Sequence, residues 1–267
     1  MHVIIYIQLI QYFIKILIKG ADIMLEICPI PDSLDNLFFM GEEGFESTIF
    51  ISEFDTVTKF FKPYVSDKML FRKEGILISL HFCEIYNKHK IIPEIYKLIC
   101  KDNGNFIGYT MECVAGQKLD EFCEDISVAD KLLLFSNLQD TIKIINDNGY
   151  CLTDFNPNNF LVSKNLTIKL VDIDSFCLID DSSKGFFCYY KHSCTFTRVV
   201  DVKYNIYSFY SLFVDMLFNV NKVQNSKKKI IQKITDENAL TDSIKEKLIF
   251  FVNLRRKKQL KDLDYLF

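Results

Sequence analysis

The stretch that decides the reading is Asp154-Phe155-Asn156-Pro157-Asn158-Asn159-Phe160-Leu161-Val162, followed after a short polar interval by Val171-Asp172-Ile173-Asp174. It sets a carboxylate at Asp154, an amide five residues on at Asn159, and a second carboxylate thirteen residues beyond at Asp172. The residues between are apolar enough (Phe160, Leu161, Val162, then Leu166, Ile168, Leu170, Val171) to form a short hairpin. Such a hairpin would carry its two oxygen-rich ends side by side. One Asp to orient a hydroxyl, with an Asn and a second Asp as hard oxygen ligands for magnesium, is the equipment that phosphoryl transfer needs.

This spacing resembles the catalytic loop of the protein-kinase superfamily, D-x-x-x-x-N, followed by that family's metal-binding D-F-G loop. The resemblance implies an α+β fold of two lobes, a small β-rich N-lobe and a mostly helical, shortened C-lobe. On that basis the chain divides into a hydrophobic extension (residues 1–23), an N-lobe (24–114) and a C-lobe (115–267). Further stretches match the family in order. Residues 40–51 carry Gly41 and Gly44 where a glycine-rich hairpin is expected, although Glu43 and Glu46 stand where the family's other glycines would be. Glycines let a backbone close over phosphates. The β-prone run Thr56–Pro63 offers Lys59 as a point charge for phosphate oxygens. Lys62 is the alternative, but Pro63 beside it marks the end of the strand.

Residues 67–80 have the apolar spacing of a helix, with Met69, Leu70, Ile76, Leu77 and Leu80 on its stripe. Glu74 is the acid in its interior, and the resemblance makes it the partner of Lys59. Met111-Glu112-Cys113-Val114-Ala115-Gly116 is similar to the segment joining the two kinase lobes. There Met111 would line an adenine pocket, while Glu112 to Val114 would offer backbone groups to the base edge. Ser127 with Asp130 starts a long helix, Asn148-Gly149 stops it, and Leu132, Phe135, Leu138, Ile142 and Ile145 recur between them at helical spacing. Finally Asn205–Leu217 resembles the family's central helix.

The departures from the pattern are specific. The family's His-Arg-Asp is Leu152-Thr153-Asp154, its Asp-Phe-Gly is Asp172-Ile173-Asp174, and Asn156 stands in place of the lysine that follows the catalytic Asp in serine/threonine kinases. The aspartate of the central helix is Asn205, whose amide oxygen can still accept a backbone hydrogen bond.

With 267 residues and a formal charge of −3, the chain can bury a sizeable core and gives no case for a nucleic-acid partner, which usually calls for a basic stripe. Nine cysteines without a C-x-x-C pair point to reduced thiols in a cytoplasmic setting. His2, His81, His89 and His192 form no metal-ligand spacing. Residues 3–18 are nearly all apolar but fall short of the roughly 20 needed to span a bilayer. They read as an extension upstream of a start at Met24, as a helix packed on the protein, or as an anchor that would make the one membrane contact.

The resemblance implies an ATP- and magnesium-dependent phosphotransferase acting on a serine or threonine hydroxyl of a protein. Lys59 would hold the phosphates, Glu74 would position Lys59, Asp154 would orient the acceptor, and Asn159 and Asp172 would hold the metal. Two other readings stay open: a small-molecule kinase, and a pseudokinase serving as a nucleotide-binding or scaffold module. The missing glycines, Thr153 and Asp174 are the features that favour the last.

Overall fold

The computed structural model describes residues 26–29, 37–43, 46–52, 56–179, 200–218, 226–254 and 262–267. Gly44 and the apolar run at 3–18 lie outside them. The protein is α+β and divides into two compact units, Met1–Cys113 and Val114–Phe267. Among the described residues no helix is long and apolar enough to cross a membrane.

The first unit is a six-stranded sheet with one long helix. Its strands are β1 (Glu26–Pro29), β2 (Leu37–Glu43), β3 (Ser47–Ser52), β4 (Thr56–Phe61), β5 (Ile95–Cys100) and β6 (Phe106–Glu112), in the spatial order β1-β5-β6-β4-β3-β2. Only β1 and β5 run parallel. Between β4 and β5 lies α1 (Asp67–Phe82), begun by Ser66, whose hydroxyl accepts from the amide of Met69 at 3.4 Å. Alternation puts Val57, Lys59 and Phe61 on one face of β4. Phe61 packs there against Phe106 and Tyr109, with ring centroids 5.6 and 6.3 Å away.

Burial on α1 follows the positions 73, 76, 77 and 80, a helical stripe in which Lys73 takes the place of an apolar residue. Met69 and Leu70, expected on the buried face, are only half-buried.

The second unit is built on two packed helices, α3 (Val128–Asp147) and α4 (Val202–Phe218), with three small helices, α2 (Leu119–Glu124), α5 (Lys227–Asp236) and α6 (Asp242–Asn253). The start of α3 is a reciprocal cap. The amide of Asp130 donates to the Ser127 hydroxyl at 3.1 Å, and that hydroxyl donates back to the Asp130 carboxylate at 2.7 Å. Its end is set by Gly149, whose φ of +85° suits a residue without a Cβ. Phe135 of α3 meets Phe209 and Phe213 of α4 edge-on, at 5.9 and 4.8 Å. Around this pair lie two small antiparallel sheets: β10 (Ile168–Leu170), β9 (Phe160–Val162) and β7 (Gln117–Lys118) in one, β11 (Phe176–Leu178) and β8 (Tyr150–Leu152) in the other.

Gly108 shows how tightly the first sheet is drawn around Lys59. It lies opposite Phe60 on β4, and a Cβ there would fall under 3.0 Å from the Lys59 carbonyl oxygen. That oxygen belongs to the backbone and cannot swing aside. Gly108→Ala should therefore destabilise the protein by about 1–3 kcal/mol, the usual cost of overpacking. A lowered melting temperature checks this; an unchanged one would mean that β6 can shift away from β4 freely.

Candidate functional site

In the first unit Lys59 sits mid-strand on β4, paired in register with Ile49 of β3 and Tyr109 of β6. It is 7 % exposed, and its Nζ lies 5.8 Å from the centre of the Phe61 ring. Lys62 falls beyond the end of β4, where its amide donates to the Glu46 carbonyl at 2.9 Å. Glu74 sits in the interior of α1, half-buried at the flank of the stripe that faces the sheet.

The neighbouring Lys73 was not singled out by the sequence reading. Its Nζ is buried over the same Phe61 ring, at 5.3 Å, and forms an ion pair of 3.0 Å with the Glu46 carboxylate. Glu46 thus has a use of its own where the resembling family has glycine: it neutralises a buried ammonium that would otherwise be costly. The spacing 73-76-77-80 was the signal available for Lys73.

Gly41 lies in β2 at a shift of register between Phe39 and Glu43. Met111 is buried near the end of β6. Glu112 closes that strand, and its amide is engaged with the Glu94 carbonyl at 2.8 Å, while its carboxylate accepts from the Glu94 amide at 3.2 Å. Of the backbone groups expected at Glu112 to Val114, the Glu112 N–H is thus already engaged. Val114 opens the second unit, in irregular backbone past the strand.

The second unit gathers Asp154, Asn159 and Asp172. The β9–β10 hairpin has the register Phe160↔Leu170, Leu161↔Lys169 and Val162↔Ile168. One step beyond it, the amide of Val171 donates to the Asn159 carbonyl at 3.1 Å. Asp172 therefore follows directly on the residue tied to Asn159. The turn that closes the hairpin puts Leu166 at a φ of 62°, held by Asn137 of α3, whose amide donates to the Leu166 carbonyl at 3.1 Å.

Local sequence shapes the loop itself. Asn156 caps a single 3₁₀ turn over Pro157–Asn159, its side-chain oxygen accepting from the Asn158 amide at 3.1 Å. Pro157 fixes φ at the first position of that turn. Beneath it Phe155, 1 % exposed, packs against Phe160 with centroids 5.1 Å apart. The turn points Asn159 back at Asp154: its Nδ2 donates to the Asp154 carbonyl at 3.3 Å and to the Asp154 carboxylate at 3.1 Å. With the nitrogen so used, the amide's oxygen remains its acceptor.

Two contacts hold this loop from behind. Asn205 of α4 is fully buried, and its amide grips the backbone of Leu152 from both sides. The Leu152 N–H donates to Asn205 Oδ1 at 3.0 Å, and Asn205 Nδ2 donates to the Leu152 carbonyl at 2.8 Å. The Thr153 hydroxyl donates to the carbonyl of Ser175, and Ser175 in turn donates through its hydroxyl to the Asp172 carbonyl at 2.6 Å. The loops around Asp154 and Asp172 are thereby linked by two successive hydroxyl bonds. Neither Thr153 nor Ser175 was foreseen in this role.

The donor set is one of hard oxygens. Among the described residues no group of three or more His, Cys, Asp or Glu could hold a metal unaided. Magnesium suits such a place, since it is commonly held by one or two carboxylates and completed by water and phosphate oxygens. The nearby thiols offer no competing nucleophile: burial, then the neighbouring Cys177 and Asp201, push Cys151 up to about 12. A scan against protein-family models and a search of curated proteins each find no match to this chain.

Asn205 is the testable element. Asn205→Leu leaves the N–H and C=O of Leu152 unpaired in the interior, at about 1–3 kcal/mol for each group. Asn205→Asp keeps the acceptor but sets a carboxylate oxygen against the Leu152 carbonyl. Burial and that carbonyl raise the carboxyl's pKa in the folded state, so protonation on acidification restores a donor. The stability deficit of Asn205→Asp relative to the natural chain should then narrow as the pH falls from 7 towards 4.5 in denaturant titrations. A deficit that stays constant or grows would show that the donor to Leu152 contributes little.

Proposed function

We propose that this chain is an ATP- and magnesium-dependent phosphotransferase of the protein-kinase type, transferring the γ-phosphoryl group to a serine or threonine hydroxyl of a protein. The observation that carries the reading is the Asn159 junction. One amide side chain bonds back to Asp154 while its own backbone carbonyl receives the amide next to Asp172. A carboxylate to orient a hydroxyl, with an amide oxygen and a second carboxylate for a divalent cation, is the division of labour that in-line phosphoryl transfer uses, and this bonding supports that reading.

In this reading Asn159 and Asp172 hold magnesium, which when bound supplies charge neutralisation to the transferring phosphate. Asp154 accepts the proton of the acceptor hydroxyl and is kept in orientation by the Asn159 amide. Lys59 supplies a fixed cation for phosphate oxygens, with Glu74 setting its position. Asn156, in place of a lysine, is committed to capping its turn and brings no charge to the transferred group. Slow turnover is the consequence. The same two-part reading predicts the α+β chain to be a two-lobed kinase-like fold, its lobes being the two units into which the chain divides between Cys113 and Val114.

The test separates metal from base. Nucleotide at about 100 times its dissociation constant stabilises by roughly 2.7 kcal/mol, a melting rise of about 5–11 °C for a chain of this length. The rise should require magnesium, persist in Asp154→Asn and be lost in Asp172→Asn. Asp154→Asn should instead slow transfer by about 10²–10⁴-fold. No shift with millimolar Mg·ATP on folded protein would remove the nucleotide from the account; interchanged phenotypes would reverse the two aspartates' roles.

A further inference from the structure

Residues Asp262–Phe267 run along the second unit with their backbone held almost wholly by side chains from three helices. Lys203 of α4 donates to the Leu263 carbonyl at 2.5 Å, and Tyr210 of α4 donates to the Asp264 carbonyl at 3.0 Å. Lys247 of α6 donates to the carbonyls of Tyr265 and Leu266 at 2.8 and 3.1 Å. Gln139 of α3, itself 4 % exposed, takes three bonds. Its Oε1 accepts from the amides of Leu266 and Phe267 at 2.5 and 3.0 Å, and its Nε2 donates to the Phe267 carbonyl at 3.0 Å.

Only two side chains of the segment are deeply buried, Leu263 at 1 % and Leu266 at 2 % exposure. The Phe267 ring meets Phe209 and Phe213 edge-on at 6.4 and 5.8 Å. Bonds to backbone supply affinity for an extended strand of any sequence, and pockets for spaced apolar side chains supply selectivity. That is the chemistry of peptide recognition, met here within one chain.

The same helix that holds this segment also holds the loop around Asp154. Lys203 and Tyr210 flank Asn205 on α4, and the Tyr204 hydroxyl donates to the Thr153 carbonyl at 3.5 Å. We propose that α3, α4 and α6 form a docking groove for an extended peptide with two apolar anchors three residues apart. Its resident ligand is this chain's own segment 262–267, and its occupancy holds α4 where Asn205 orders Leu152–Asn159.

Hydrogen exchange on the full-length chain reads the coupling without any appeal to catalysis. Gln139→Met removes three of the bonds at similar side-chain length. It should speed exchange at Leu266 and Phe267, and also, by roughly tenfold or more, at the Leu152 amide bonded to Asn205. Faster exchange confined to residues 262–267 and their helices would overturn the coupling. Deletion of residues 262–267 tests the groove. The peptide Asp-Leu-Asp-Tyr-Leu-Phe added in trans should raise the melting temperature of the shortened chain, or fold it if it is unfolded alone. The same peptide with both leucines replaced by aspartate should do neither. No effect of the natural peptide, or an equal effect of the two, would show that the groove is not a docking site.

Discussion

The loop that carries Asp154 is anchored to the core of the second unit by one buried amide. Asn205 sits at the start of the most apolar helix in the described structure and spends both ends of its side chain on a single backbone residue, Leu152. A buried polar group is tolerated only when its partners are fully met, and then it fixes position more sharply than apolar packing can. Here the fixed residue is the last of β8, two positions before Asp154. The carboxylate that the proposed reaction needs is thereby placed by a helix rather than left to a loop.

From that anchor the remaining order follows the chain. Pro157 and the Asn156 cap turn the backbone so that Asn159 faces back to Asp154, and the β9–β10 hairpin returns Val171 to Asn159. Thr153 closes the circuit through Ser175 to the Asp172 carbonyl. A neutral hydroxyl thus joins the two loops where the resembling family carries an arginine. A bond between neutral groups needs no phosphate or other anion to balance a charge.

How much of this was legible in sequence depends on how local the cause was. The α3 caps at Ser127 and Gly149, the strand carrying Lys59 and the hairpin between Phe160 and Leu170 are set by neighbours in the chain, and the residue pattern displays them. The Lys73–Glu46 pair, the Ser175 link and the grip of Gln139 on residues 266 and 267 join positions far apart in sequence, with polar residues that composition alone assigns to the surface. Lys73 was partly visible, since it shares a helical stripe with Ile76, Leu77 and Leu80. At Glu112 the strand ends before the small residues that suggest a turn, but the bond from its amide to the Glu94 carbonyl is a pairing that local pattern does not display.

The central claim is that the oxygen groups brought together at Asn159 serve magnesium-dependent phosphoryl transfer. Incubating the natural chain and Asp172→Ala with γ-labelled ATP, with and without magnesium, tests it most directly. The account predicts label leaving ATP only with the natural chain and only with magnesium, while Asp172→Ala, shown to be folded by its melting curve, falls to background. Equal loss of label in the two proteins, or none in either, would contradict it.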